Sequence, residues 1–381
     1  MRAMVVNATW EPKPGLDARM VASRRATASL AWRSPVHQLV DVPDPMVQSG
    51  EILVEVARCG VCGSDTHCYE HDDAGYVKFS GPARFPVIGG HEWSGRVVEV
   101  GRSVRGVRVG EWVCGEGMVS CGVCEPCKRG DPNQCLHLDM VGFSAPGAFA
   151  ERLAIHERFV WSLDAVAERH GDAALDLGAL VEPLACAFNG IWVVAGGLRP
   201  GSHVVVFGCG PIGLGAVLLA RAAGAASILA FDTVAERRSL ALACGADAVF
   251  GALPVDMAAE AVFSMTRGWG GDLFVEAAGA AAATVPVVEA CAAPRSTLVY
   301  LGRTGERVPV GLDRLVTGAA RIVGARGHSG GGCFPNVLRM LAHGRLDPMP
   351  MVTARFSLGS AVAAVARSVS RTDGKILVTG P

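Results

Sequence analysis

Through roughly the first 180 residues, short apolar runs alternate with glycine-containing turns. Residues 52–57, 97–100 and 112–114 are such runs, and Gly101, Gly106 and Gly110 cut VVEVGRSVRGVRVGEWV into strand, turn and strand. This pattern predicts a barrel-like β domain. From about Leu184 the pattern changes. Candidate strands at 204–207, 227–231, 273–276, 297–301 and 321–324 follow, the early ones separated by alanine-rich helical segments. Strands alternating with helices predict a parallel sheet covered on both faces. After Gly327 the alternation stops, and the tail ending in GKILVTG is expected to return to the first domain. The expected division is therefore 1–183 with 328–381, and 184–327. Residues 15–35 mix polar, basic and apolar positions, and an extended excursion is expected there.

A chain of 381 residues exceeds what one hydrophobic core normally serves, in keeping with two domains. Half of it is hydrophobic and 19% charged, which suits a packed enzyme rather than a disordered chain. The net charge of -1 argues against a nucleic-acid partner. The stretch 203–220 is strongly apolar, but its four glycines and one proline favour strand, turn and helix over a membrane span. No membrane partner is expected. The N-terminus lacks the apolar core of a signal peptide, and the thirteen cysteines include a cluster with metal spacing, so a reducing cytoplasmic compartment is expected.

That cluster is Cys121, Cys124, Cys127 and Cys135, within CGVCEPCKRGDPNQC. Four thiolates so close in sequence can surround one tetrahedral zinc and leave no position for substrate, so the site reads as structural. A second set is open: Cys62 in CGVCGSDTH, His91 and Glu92 in VIGGHEWSG, and Glu182 in LGALVEPLACAFNGIW. Sulfur, imidazole and carboxylate all bind zinc, and three protein ligands leave a catalytic position. Neighbouring strand residues face opposite ways, so His91 and Glu92 converge only if the backbone bends, as Gly89 and Gly90 permit. Otherwise Glu92 orients the site from behind. Glu182 lies in an apolar run, where a carboxylate must be paired or metal-bound. It either ligates the ion, holds an ion-bound water, or is a helix-start carboxylate near Pro183.

Gly208, Gly210 and Gly213 form G-x-G-x-x-G. Glycine is so common here that the motif is weak alone; its place between the β-branched run 204–206 and a helical segment carries it. The glycines permit a tight turn and close approach of pyrophosphate to a helix N-terminus. Asp232 ends the next candidate strand, where a carboxylate accepts ribose hydroxyls and repels a 2′-phosphate, so NAD is expected rather than NADP. A plain turn residue is the alternative for Asp232. Arg237 either lies against the adenine or is a solvated helix residue.

These motifs together resemble the zinc-dependent medium-chain alcohol and polyol dehydrogenases over essentially the full length. GVCGSD, GGHEWSGRVVEVG, the cysteine quartet, VEPLA, GCGPIGLG and GKILV occur in that family's order. The resemblance implies a GroES-like β-barrel catalytic domain joined to a Rossmann doubly wound parallel-sheet domain. It implies two zinc ions per chain, with Cys62, His91, Glu92 and Glu182 at catalytic zinc positions. Ser64 and His67 match the proton relay, and Asp65 a residue supporting the site from behind. Homodimers or homotetramers are implied too. ATWEPKPG, HDDAGYVKFSGPARFPVIGGHEWSG and GARGHSGGGCFP look like a cyclitol-oxidising branch that includes scyllo-inosose dehydrogenases. Tyr76, Lys78, His328 and Ser329 are candidate substrate-hydroxyl partners. The expected reaction is hydride transfer from a secondary ring hydroxyl of a cyclitol or sugar to NAD, giving a ketone. An aminoglycoside or its precursor is a candidate carrier of that ring. An acyclic polyol or amino-alcohol dehydrogenase is one alternative, and a non-catalytic zinc-containing scaffold of the same fold another.

Overall fold

The computed structural model describes residues 1–17, 19–20 and 27–380. By contacts the chain forms two compact units, one of residues 1–182, 352–370 and 375–381, the other of 183–351 and 371–374. Residues 328–351 thus group with the second unit, where the sequence-based division placed them in the first. Strand–helix alternation does end near Gly327, but the chain then forms a helix, Cys333–Ala342, whose apolar face (Phe334, Val337, Leu341) is buried.

The first unit is built on β strands. β1 (Arg2–Trp10) pairs antiparallel with β2 (Trp32–Asp41). The long β3 (Glu51–Val61) lies further along, and the short β4 (Val87–Ile88) completes a three-stranded sheet in the order β2-β1-β4. β5 (Glu92–Val100) and β6 (Trp112–Gly115) come next, then a small ribbon of β7 (Met118–Val119) and β8 (Asp139–Met140). β9 (Arg152–His156) and β10 (Val160–Ser162) lead on to the second unit. β17 (Val352–Ser357) and β18 (Lys375–Thr379) return from it, and the main sheet runs β10-β6-β5-β3-β18-β17 with β9 also on β3. Its core includes Ile52, Val54, Val56, Trp93, Val97 and Val113, the inward-facing members of the alternating runs. Part of the expected excursion at 15–35 lies outside the described residues; Ala28–Ala31 is a helical turn and Trp32 already opens β2.

The second unit is a six-stranded parallel sheet: β11 (His203–Phe207), β12 (Ser227–Phe231), β13 (Ala248–Phe250), β14 (Gly271–Glu276), β15 (Ala292–Tyr300) and β16 (Arg321–Gly324). The spatial order β13-β12-β11-β14-β15-β16 is the doubly wound 3-2-1-4-5-6 arrangement. Central strands of such a sheet are covered on both faces, so they read as unbroken apolar runs. Val204, Val205 and Val206 are all fully buried, each contributing roughly 1.5–3 kcal/mol. β13 had no such signal: its three residues are only half-buried. The segment 203–220 is strand, turn and helix, as its glycines require. Another run, Ala173–Val194, is long and apolar enough to cross a membrane, but 72% of its most apolar window is buried inside the protein, as in a core helix.

Candidate functional site

β3 ends in a tight turn at Cys62, which caps the helix Gly63–Tyr69. The Cys62 amide donates to Asp65 Oδ2 at 2.9 Å, and the Asp65 amide donates back to the sulfur, so the thiol is held in place by its own helix. His91 arrives just before β5. Gly90 has φ +85°, and a Cβ there would lie 2.8 Å from both Cys59 Sγ and the Phe149 ring. The bend at this glycine turns the chain so that His91 and Glu92 both reach Cys62. One ligand atom from each of the three residues lies within 4.8 Å of the others.

Three further groups shape the site. Ser64 Oγ is 3.5 Å from His91 Nε2. Asp65 is buried, with Oδ1 3.8 Å from His91 Nδ1. Burial by itself lowers the His91 pKa, but the charges of Asp65, Cys62 and Glu182 outweigh it and raise that pKa well above the ordinary value. The field of the pocket therefore favours a cation. His91 Nδ1 is buried without a hydrogen-bond partner, an incomplete bonding state that a bound ion's ligand set tolerates. Together the donor chemistry, the separations and the field fit a metal ion.

Glu92 has a second claim on it. Both its oxygens accept from Lys375 Nζ, at 2.7 and 2.5 Å, and neither side chain has any solvent exposure. Lys375 also donates to the Val61 carbonyl at 3.1 Å. Burial raises the Glu92 carboxyl pKa against the opposing pull of Lys375. A carboxylate bound on both oxygens by an ammonium is engaged as an ion-pair partner, which matches the alternative in which Glu92 supports the site from behind. Lys375, at the start of GKILV, is the functional neighbour that sequence reasoning left unassigned. The available signal was a lysine opening a wholly apolar strand, where an unpaired charge is untenable.

Glu182 is the tenth residue of the helix Ala173–Phe188, so it is not a helix-start carboxylate. It is buried and acts through its charge on His91, Glu92 and Lys375 while standing outside the 4.8 Å group. His67, four residues before the start of the loop at His71, is exposed, where a relay would meet solvent. Tyr76 is buried, with Lys13 Nζ 4.3 Å and the Arg33 guanidinium 5.3 Å from its ring centre. Lys78 is an exposed partner of Glu70 at 3.4 Å. His328 and Ser329 are both buried, and Cys186 Sγ is 3.7 Å from His328 Nδ1.

The four clustered cysteines also converge. Cys124 Sγ lies 3.5 Å from Cys127 Sγ and 3.8 Å from Cys135 Sγ. A tetrahedron with metal–sulfur bonds of about 2.3 Å has sulfur–sulfur edges of about 3.8 Å, so the set fits one zinc. Backbone amides of Cys121 and His137 point at Cys135 Sγ, and that of Cys124 at Cys121 Sγ, as they would at thiolates. Amide donors, that of Cys127 foremost, hold the Cys124 thiol down to about 6.

In the second unit Gly208 comes directly after β11 with φ +86°, and Gly213 sits so close to the Gly208 carbonyl that a Cβ would lie 1.8 Å from its oxygen. Only glycine fits there, which brings the helix Pro211–Ala222 hard against the turn. Gly210 caps that helix and faces a cavity of about 500 Å³, lined also by Asp232 and Arg237. The Asp232 carboxylate accepts from the Cys209 amide at 2.7 Å and the Val234 amide at 2.8 Å. Arg237 donates to the Asp373 carbonyl at 3.3 Å, and its burial lowers its pKa. It is a cavity-lining group rather than a solvated one.

Residues 48–165 match the alcohol dehydrogenase GroES-like domain, and residues 211–343 match the zinc-binding dehydrogenase family. The chain is 37% identical to a scyllo-inosose 3-dehydrogenase of Thermotoga maritima, over 94% of each chain. It is 31% identical to an L-threonine 3-dehydrogenase of Pyrococcus furiosus, over 84% of this chain and 88% of the relative. A solved alcohol dehydrogenase structure from Thermotoga maritima superimposes with a TM-score of 0.92 at 34% identity, covering both chains fully. A cysteine quartet, a cation-favouring thiol–imidazole site, a dinucleotide turn and these matches lead to one conclusion: the chain belongs to the zinc-binding alcohol dehydrogenases, with a GroES-like and a Rossmann-type domain, and is an NAD-dependent oxidoreductase.

Proposed function

We propose that this enzyme oxidises a secondary hydroxyl on a polyhydroxylated ring, a cyclitol or a sugar ring such as that of an aminoglycoside, to the ketone. The observation that carries this reading is the near-full-length similarity to an enzyme named for scyllo-inosose. The site chemistry supports it. Cys62 and His91, with Glu182 nearby, would hold a zinc ion, and Glu92, paired with Lys375, would support it from behind. A zinc ion held there supplies Lewis acidity that favours ionisation of a hydroxyl near neutral pH. Gly208, Gly210, Gly213, Asp232 and Arg237 would hold NAD, which would supply the hydride acceptor. Ser64, beside His91, would take the hydroxyl proton and the exposed His67 would pass it to solvent. Cys121, Cys124, Cys127 and Cys135 would hold the second, structural ion. Residues 1–183 with the returning tail serve as the catalytic domain and 184–327 as the core of the NAD-binding domain.

We place the enzyme in the cytoplasm as a homo-oligomer. The outer edge of the parallel sheet, β16, carries no further strand among the described residues, and Ile322 on it is exposed together with Leu312 and Val316 on the preceding helix. An uncovered apolar strand edge is a natural site for self-association.

A screen of NAD reduction against inositols, inososes, aminoglycosides, linear polyols and threonine tests the substrate class. A ring substrate is expected to exceed threonine and every linear polyol by at least about tenfold in kcat/KM, a gap of about 1.4 kcal/mol in transition-state binding. A linear polyol or threonine at the top of the ranking overturns the proposal.

A further inference from the structure

A second cavity of the parallel-sheet unit, of about 690 Å³, lies where the strands begin. Ser202 precedes β11, Asp272 is the second residue of β14 and Arg321 opens β16, and all three line it. Gly208 and Asp232, by contrast, follow the ends of β11 and β12. The two cavities therefore sit at opposite ends of the sheet, and the proposed hydride transfer makes no use of this one. Its volume lies in the range that takes a small organic molecule.

The charged lining is Arg199, Arg295, Arg321 and Asp272, so two positive charges remain with the aspartate counted in full. Asp272 is also engaged within the protein. One of its oxygens accepts the His203 amide at 2.8 Å, and the other accepts the Trp269 indole N–H at 2.9 Å. Arg321 is fixed in place by a single terminal nitrogen, which donates to the Ala195 carbonyl and, at 3.0 Å, to the buried Thr297 hydroxyl. The guanidinium groups of Arg199 and Arg295 have no hydrogen-bond or ion-pair partner among the described residues.

Arg295 is delivered by a bulge. Two steps along β14, from Gly271 to Leu273, face five along β15, from Ala292 to Thr297. The surplus includes Pro294, which has no N–H for the ladder, and Arg295, which sits at φ +64°. A left-handed bulge position ordinarily belongs to glycine, and a bulge re-aims a side chain. An arginine held there against its backbone preference, in the lining of a cationic cavity, is best explained by its guanidinium. Trp269 adds a ring: it is 53% exposed, although its N–H is tied to Asp272. An anchored but uncovered indole in the same lining offers a stacking face for a planar group, with the arginines left for an anion.

We propose that this cavity binds a small organic anion carrying a planar ring, with the ring on Trp269 and the anionic group on Arg295, Arg199 and Arg321. The probe is phenyl phosphate, titrated by calorimetry into the intact enzyme saturated with NAD, so that the dinucleotide cavity is already filled. One site per chain with a Kd below about 1 mM is expected, and inorganic phosphate, which has no ring to stack, should bind at least about tenfold more weakly. Arg295→Gly suits φ +64° and removes the guanidinium, so it should keep the thermal midpoint while raising Kd at least about tenfold. Trp269→Leu should raise it at least about fivefold. NAD-dependent turnover should stay within about twofold in both variants, because neither residue belongs to the zinc or dinucleotide sites. No saturable binding up to about 10 mM, equal affinity for inorganic phosphate, or a Kd unchanged in Arg295→Gly each overturns the proposal.

Discussion

The cysteine quartet and the Cys62–His91 site are both groups that could hold a metal ion in the same unit, yet they are built on opposite principles. The quartet draws all four ligands from fifteen consecutive residues, and three of its four cysteines are partly exposed. The second site draws on β3, the approach to β5, the helix Ala173–Phe188 and β18, and His91, Glu92, Glu182 and Lys375 are buried. A local loop can close around an ion with little help from the rest of the fold. A buried site of mixed charges depends on the entire sheet, and its cation-favouring field exists only when distant acids are brought together. With an ion bound, the first arrangement would suit holding a lobe in shape, and the second would leave a ligand position open and tune it.

The largest effect separating the two should come from His91→Ala, which is expected to lower kcat by at least about a thousandfold, the range for removing a group at the reacting centre. NAD affinity should stay within about twofold, since the dinucleotide turn lies in the other unit. Turnover within tenfold of wild type would remove the functional difference between the sites.

Next comes Lys375→Met. It leaves Glu92 buried and unpaired, which typically costs about 3–5 kcal/mol, so a clear fall in the denaturation midpoint is expected. Adding Glu92→Gln should recover part of the loss, because the unpaired charge goes with it. Chemical denaturation of the two variants checks both steps.

Cys124→Ser should act on the lobe alone. Zinc content is expected to fall by about one ion per chain, and amide exchange to quicken between Met118 and Met140, with less effect on the main sheet. Metal analysis and exchange mass spectrometry read these directly. A variant that keeps both ions would break the contrast between a closed local site and an open one.

The smallest effect lies outside both sites. Burial lowers the His37 pKa to about 4. Its folded pKa lies below the unfolded value near 6.5, so the unfolded chain binds the extra proton first. Stability is therefore expected to fall as pH drops from about 6.5 to about 4, with no further contribution below that. His37→Phe should flatten this part of the thermal-midpoint profile, measured beside the wild type in the same buffers.

Much of the molecule was legible before any geometry. The quartet spacing, the glycine turn and the strands 227–231 and 321–324 come from local rules, because cysteine spacing, φ restrictions and apolar runs act over a few residues. β13 escaped because three half-buried residues carry too little pattern. Glu182 was marked by its apolar surroundings, but only its place in mid-helix removed the helix-start reading.

The chain by itself determined which residue types stood ready: two sets of metal donors, a phosphate-binding turn and a carboxylate after the second strand of the parallel sheet. Tertiary structure decided which charges meet. Lys375 lies 283 residues from Glu92, so no periodicity or spacing could pair them. Electrostatic energy depends on distance and burial rather than on order along the chain, and both are set only when the sheets close.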